Sequence, residues 1–223
     1  MRLTILYDDN ILREGLRGGW GFSCLVEAEK KVLFDVGWNG IDLLKNMDAL
    51  GVDARSIDVI VPSHLHWDHI GGLPNVLEKA KKAVVYAPAS FSKHLLDDIR
   101  TGNSLVEVTE PVAITDTVWS TGELSGRHKN LPIMEQSLVL KTKDGIIALT
   151  GCSHPGVGTI LAAAGKHGKV TGLIGGLHGF DGYELLNGLK LIVPVHCTQK
   201  RLVIREKYPD TTREGGVGRV IEV

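Results

Sequence analysis

The sequence predicts an α/β fold in which two sheets pack together with helices outside. Three observations predict it. Short runs rich in Val and Ile recur along the chain, as expected of strands buried in a sheet. Hairpins are followed by strand–loop–helix units, and this order is given twice, which two packed sheets with outer helices satisfy. Four apolar runs each end in a histidine-bearing loop, at His64, His154, His178 and His196. No linker or low-complexity segment divides the 223 residues, so 1–223 is read as one domain.

Residues 2–7 read as a first strand, and 8–19 as a polar, Gly-rich loop. Residues 22–27 and 32–36 are apolar runs joined through Glu29-Lys30, a hairpin. Ile41, Leu44 and Met47 stand at helical spacing, and Gly51 stops that helix. Residues 57–61 form a continuous apolar strand that Pro62 and Ser63 end. A helix over 73–81 carries Pro74 in its first turn, where a missing N–H costs little.

Residues 83–86 read as a strand, 91–99 as a helix, and 105–118 as β-rich with a break at Pro111. A polar loop over 122–132 holds Arg127, His128 and Lys129. Residues 137–141 and 146–150 form a hairpin around Asp144-Gly145, a strong turn signal. Helices are expected over 157–164, 183–189 and 199–208, and strands over 170–174, 191–195 and 217–223.

Bulk properties exclude several classes. Net charge is −1, which gives no general electrostatic case for nucleic acid or membrane binding. No apolar run approaches the roughly 20 residues of a membrane span. The first residues turn acidic too soon for a signal peptide, and three cysteines give no disulfide framework, so a reducing cytoplasm is expected. Oligomeric state has no signal.

The chemistry centres on His64-Leu65-His66-Trp67-Asp68-His69. Neutral imidazole and carboxylate both suit a borderline divalent metal. His64 and His66, two apart, can aim to one side of an extended segment. Asp68 and His69 follow the turn and can serve a second ion. Neither pair completes a site, and His154 and His196 are the candidates to complete them. His94, His128 and His167 are read as ordinary core or surface residues, and Cys24 as core.

HLHWDH has the H-x-H-x-D-H form and resembles the metallo-β-lactamase superfamily. Asp35-Val36-Gly37 is similar to that family's D-x-G. Asp8-Asp9-Asn10, Gly21-Phe22-Ser23, LTGCSHPG at 149–156, GGLH at 175–178 and HCT at 196–198 resemble the 7,8-dihydropterin-6-methyl-4-(β-D-ribofuranosyl)-aminobenzene-5′-phosphate synthase-like subgroup. The resemblance implies a four-layer αββα sandwich with one or two divalent ions per chain, zinc first, manganese or iron as alternatives. His64, His66 and His154 would hold the first ion; Asp68, His69 and His196 the second.

The family's bridging aspartate has no clear counterpart. Cys152 and Asp181 are the nearby alternatives, and Cys152 is carried as the metal candidate. Asp35 is expected to hydrogen-bond within the loops and Cys197 to pack; His178 is read as a metal ligand, a substrate contact or a partner holding a ligand carboxylate, with a role in the pocket preferred. Asp68 and His178 are the candidates for a catalytic role.

The expected function is a hydrolase using a metal-bound hydroxide on a small, anionic ester, lactone or phosphate-type substrate. Arg127, His128 and Lys129 are candidate anion contacts. The alternatives are a transferase joining a dihydropterin pyrophosphate to a ribosylaminobenzene phosphate, and an iron-binding redox protein on the same fold.

Overall fold

The computed structural model describes residues 1–223. β1 (Arg2–Tyr7), β2 (Ser23–Glu27) and β3 (Lys31–Phe34) form an antiparallel meander. β4 (Val59–Val61), β5 (Val84–Pro88) and β6 (Ser104–Val108) then add in parallel beside β3. Helices α1 (Gly40–Ala49), α2 (Trp67–Ile70), α3 (Leu73–Lys79) and α4 (Lys93–Gly102) make the crossovers.

The second sheet opens with β7 (Val112–Ala113) and β8 (Val118–Ser120). β9 (Leu124–His128) and β10 (Leu131–Glu135) pair only with each other. β11 (Leu138–Thr142) and β12 (Gly145–Thr150) are antiparallel; β13 (Val170–Gly176) and β14 (Leu191–Val195) continue in parallel. Helix α5 (Val157–Gly165) connects β12 to β13, and α6 (Arg201–Lys207) follows β14. β15 (Val220–Glu222) returns to the first sheet beside β1. The sheet orders are β15-β1-β2-β3-β4-β5-β6 and β14-β13-β12-β11-β8-β7.

Strand alternation builds the layers. Leu3, Ile5, Cys24, Val26, Val32, Phe34, Val59 and Val61 face a core shared with Leu138, Leu140, Ile147, Leu149, Ile174, Val193 and Val195 of the second sheet. The intervening Leu25, Leu33 and Ile60 face the opposite way, against Leu43, Met47, Leu73, Val76, Leu96 and Ile99 of α1, α3 and α4. Val139, Ala148, Leu173 and Ile192 likewise pack with Val157, Ile160 and Ala164 of α5 and Ile204 of α6. The central strands β2 to β4 and β12 to β14 are therefore largely buried on both faces, which is why these runs read as continuously apolar. The layers are α/β/β/α, as expected.

The differences are local. Residues 124–135, read mostly as a polar loop, form a hairpin turning at Lys129-Asn130, which adopt φ of 47° and 68°. Asn tolerates that left-handed backbone. The helix expected at 183–189 is a 3₁₀ turn over Tyr183–Leu186. No helix is long and apolar enough to cross a membrane.

Gln136 joins the two sheets beside the histidine loop. Its Nε2 donates to the Pro62 and Tyr86 carbonyls at 2.8 Å each, and its Oε1 accepts from Ser120 Oγ at 2.6 Å. Its backbone N–H donates to the Ser63 carbonyl. Gln136 is buried, and only its contact to Tyr86 is partly open, so Gln136→Leu removes the side-chain partner of two carbonyls and a hydroxyl. The expected loss is about 2–4 kcal/mol in urea unfolding; an unchanged midpoint would show that the clamp carries no stability.

Candidate metal centre

Four strand ends meet at one edge of the sandwich. β4 delivers His64, β12 His154, β13 His178 and β14 His196. Past β4 the chain stays extended through His66 (φ −70°, ψ 141°) and then winds into α2. Alternation sends His64 and His66 one way. Leu65 and Trp67 line an apolar groove of about 850 Å³ between α3 and α4. None of the clustered histidines lines that groove.

The donor atoms form linked groups. Those of His64, His66 and His154 lie within 4.8 Å of one another, as do those of Asp68, His69 and His196. Cys152 lies between them, grouped with His64 and His69, its Sγ 3.1 Å from His69 Nε2. Asp68 Oδ2 is 3.1 Å from His196 Nε2 and 3.8 Å from His69 Nε2.

Hydrogen bonds behind the imidazoles decide which nitrogen faces inward. Ser63 Oγ donates to Asp35 Oδ2 at 2.8 Å, so its oxygen accepts from His64 Nδ1–H, also at 2.8 Å. His69 Nδ1 donates to Asp35 Oδ2 at 2.6 Å. His154 Nδ1 donates to Glu135 Oε2 at 2.8 Å. Each Nδ1 proton is thus committed outward, and each Nε2 points its lone pair at other donors. His69 Nε2 is 3.3 Å from His196 Nε2, and His64 Nε2 is 3.0 Å from His66 Nδ1. Lone pairs gathered this way are satisfied by a shared proton or a metal ion, and carboxylates behind ligand histidines are the usual means of aiming them. The residues fit a metal.

Protonation follows the same logic. Burial, then the charges of neighbouring imidazoles, lowers His64 well below its ordinary value and His66 to about 4, so both are ready ligands. Burial also lowers His69, but Asp35 outweighs it and leaves the group at about 9. A proton there occupies the place an ion would take. Burial raises Asp68, yet the hydrogen bond from His196 and the charges of His69 and His196 hold it well below the carboxylate range. Burial pushes the Cys152 thiol well up, so an ion is what would deprotonate it.

The backbone is bent to make this cluster. Outside the Lys129-Asn130 turn, the non-glycine residues at positive φ are Asp35 (56°), Ser153 (60°), His178 (44°) and His196 (48°). All four sit in the loops just described. Such conformations cost about 1–3 kcal/mol each and persist where surrounding contacts hold them.

Glu135 does much of that holding. It is fully buried and accepts from Thr150 Oγ1 and the backbone N–H groups of Cys152, Ser153 and His154. Asp8, equally buried, accepts from the His196 N–H at 3.0 Å.

The site residues read from the sequence are brought together: His64, His66, Asp68, His69, Cys152, His154 and His196 in the donor groups, and His178 beside them, its Nε2 3.2 Å from His154 Nε2. Asp35 bonds within the loops as expected. Asp181 is exposed and joins no group. His128 is a correction. It is not an ordinary surface residue: its donor atom groups with those of His154 and His178, and its ring lies 4.7 Å from that of His66. The β9–β10 hairpin brings it there because Gly126 lets the strand lie on the His154 loop; a Cβ would come 2.4 Å from the His154 carbonyl carbon. Glu135 was missed because residues 133–136, between the loop read at 122–132 and the strand read at 137–141, were assigned to no element. Asp8 carried no signal beyond its motif. His94 is exposed, and His167 packs on Trp119.

Comparison with known proteins agrees with this geometry. A family model described as the metallo-beta-lactamase superfamily matches residues 21–133. The chain is 26% identical to the 7,8-dihydropterin-6-methyl-4-(beta-D-ribofuranosyl)-aminobenzene-5′-phosphate synthase of Methanocaldococcus jannaschii, over 91% of this chain and 89% of that one. It is also 26% identical to a crystal structure described as a metal-dependent hydrolase of the beta-lactamase superfamily, with a TM-score of 0.80 and 100% and 99% of the two chains covered. The metallo-beta-lactamase fold protein YhfI of Bacillus subtilis shares the fold, at 13% identity and a TM-score of 0.73.

Glu135 gives a pH test. Burial raises its carboxyl, but the His154 contact and the loop N–H groups outweigh that and leave it at about 2. A depressed carboxyl stabilises the fold above its unfolded value, near 4.3, and loses that contribution as pH falls toward 2. Metal-stripped protein should lose at most about 3 kcal/mol from this group between about pH 5 and pH 2. Glu135→Gln should flatten that slope in urea unfolding; an equal slope in both proteins would refute the assignment.

Proposed function

We propose, from the premise that this chain belongs to the metallo-β-lactamase superfamily, that it is a metal-dependent hydrolase of a small anionic ester, lactone or phosphate-type substrate. The observation that carries this reading is the convergence of Nε2 lone pairs whose Nδ1 protons are held by Asp35, Ser63 and Glu135. His64, His66 and His154 would hold one divalent ion, Asp68, His69 and His196 a second, with Cys152 between them. Zinc suits this donor set; manganese and iron are the alternatives. Such ions supply Lewis acidity and activate water at neutral pH.

The chain's own residues do the rest. Asp35 and Glu135 fix the tautomers. Asp68, kept ionised by His196 and His69, serves first as a ligand. His178 stands half-buried beside His154, and its hydrogen bond with Cys197 biases it toward the protonated form. It presents that proton to the leaving group. His128, from the hairpin, faces the same space, with Arg127 and Lys129 next to it in sequence. Arg127 and Lys129 put positive charge on this hairpin, which favours an anionic substrate. Neither nucleic acid nor a membrane is required as partner.

A second reading is favoured by the similarity to the Methanocaldococcus jannaschii synthase over 91% of this chain. Here an acceptor replaces water, joining a dihydropterin pyrophosphate to a ribosylaminobenzene phosphate. The same residues would serve, because both reactions need a stabilised leaving anion. Product analysis with the pterin diphosphate, with and without acceptor, separates the two.

The metal claim is tested by His66→Ala and Asp68→Ala. Each should lose bound metal per chain by elemental analysis and at least about 100-fold in turnover of whichever substrate is found. Unchanged metal in both variants would sink the reading.

A further inference from the structure

Donor atoms outside the two histidine-rich groups sit together on the far side of Cys152. Cys197, next to His196, places its Sγ 3.4 Å from Cys152 Sγ. Both sulfurs and a ring nitrogen of His178 lie within 4.8 Å of one another. The thiols are buried, and neither is in a disulfide. Gly176, at the end of β13, keeps the space for them: a Cβ there would lie 2.6 Å from Cys197 Sγ.

The spacing discriminates between two uses of a thiol pair. A disulfide needs sulfurs about 2.05 Å apart. Two thiolates on one tetrahedral zinc, each at about 2.3 Å, lie roughly 3.8 Å apart. At 3.4 Å the Cys197 thiol hydrogen-bonds to Cys152 Sγ, and a small outward shift would bring the sulfurs to the second spacing, whereas a disulfide would need them more than about 1 Å closer. His178, half-buried where both sulfurs are buried, adds an imidazole nitrogen to them. Two sulfurs and one nitrogen select soft or borderline ions.

We propose that Cys152, Cys197 and His178 form a third metal-binding group, distinct from the two histidine–aspartate groups, that takes a thiophilic ion such as Zn²⁺ or Cd²⁺. Binding leaves both sulfurs as thiolates and His178 neutral, and the protons that Cys152 and the Cys197–His178 pair carried leave to solvent. Cys152 is the corner this group shares with the others, and only through it does this inference rest on the metal-centre reading. Occupancy also takes the His178 nitrogen away from a substrate, so excess soft metal opposes turnover.

The test uses the full chain, stripped by chelator and titrated with Cd²⁺, with cadmium per chain and thiolate-to-cadmium ultraviolet absorption as readouts. The wild type should saturate near three ions, and Cys197→Ser near two, with about half the absorption. His178→Ala should weaken the third ion at least about tenfold. Saturation of the wild type at two ions, with the absorption of Cys197→Ser, overturns the third group and leaves the two-ion reading standing. Binding of no ion overturns both. Circular dichroism checks folding of Cys197→Ser. Should that variant fail to fold, full third-ion affinity in His178→Ala overturns the proposal.

Discussion

Two buried carboxylates set the terms for the rest of the centre. Asp35 accepts from the Ser63 N–H, the Ser63 hydroxyl and His69. Through Ser63 it also fixes His64, so one carboxylate orients an imidazole from each proposed ion group. Glu135 does the corresponding work for His154 and its loop. A buried carboxylate without such partners would cost several kcal/mol. Both are fully paired, so they become rigid acceptors that dictate which ring nitrogen faces inward. Their loss would free the rings to turn, and the ligand set would exist in sequence but not in space.

The two carboxylates come from different layers. Asp35 follows β3 of the first sheet; Glu135 ends β10, which belongs to neither large sheet. Ligands are divided in the same way, with His64 to His69 from the first sheet and Cys152, His154 and His196 from the second. The centre therefore depends on how the sheets face each other, and the shared core of Phe34, Val61, Leu149 and Val195 fixes that. Gln136 ties the same joint with hydrogen bonds.

Much of this was legible, for a physical reason. Strands buried on both faces leave a strong apolar signal, and strand ends in an α/β sheet are where ligand loops gather. Three histidines in six residues after such a strand is a dense local pattern. His154, His178 and His196 were found by the same rule, one strand end at a time. Glu135 and His128 escaped it because β9 is short and mostly polar and β10, though it carries Leu131, Ile133 and Met134, is short and interrupted by Pro132. Asp8 escaped because its contact is with a backbone N–H nearly the whole chain away. Partners that act through the backbone leave no residue-type signature.

The place where a bridging carboxylate would be expected is closed by packing. β12 and β13 run so close at their ends that a Cβ on Gly176 would lie 2.4 Å from the Gly151 carbonyl oxygen. A side chain at that position would need the two strand ends to move apart, and the donor between the proposed ion groups comes instead from the preceding loop, after β12. Cys152 carries the same unit charge as an aspartate once ionised, but on a soft, polarisable atom with a longer metal bond. Oxygen-preferring ions such as magnesium gain little from sulfur, whereas zinc binds it well. The glycine on β13 thus does more than permit a close strand approach: a Cβ there would also lie 2.6 Å from Cys197 Sγ, so the same position keeps the space in which the two buried sulfurs meet.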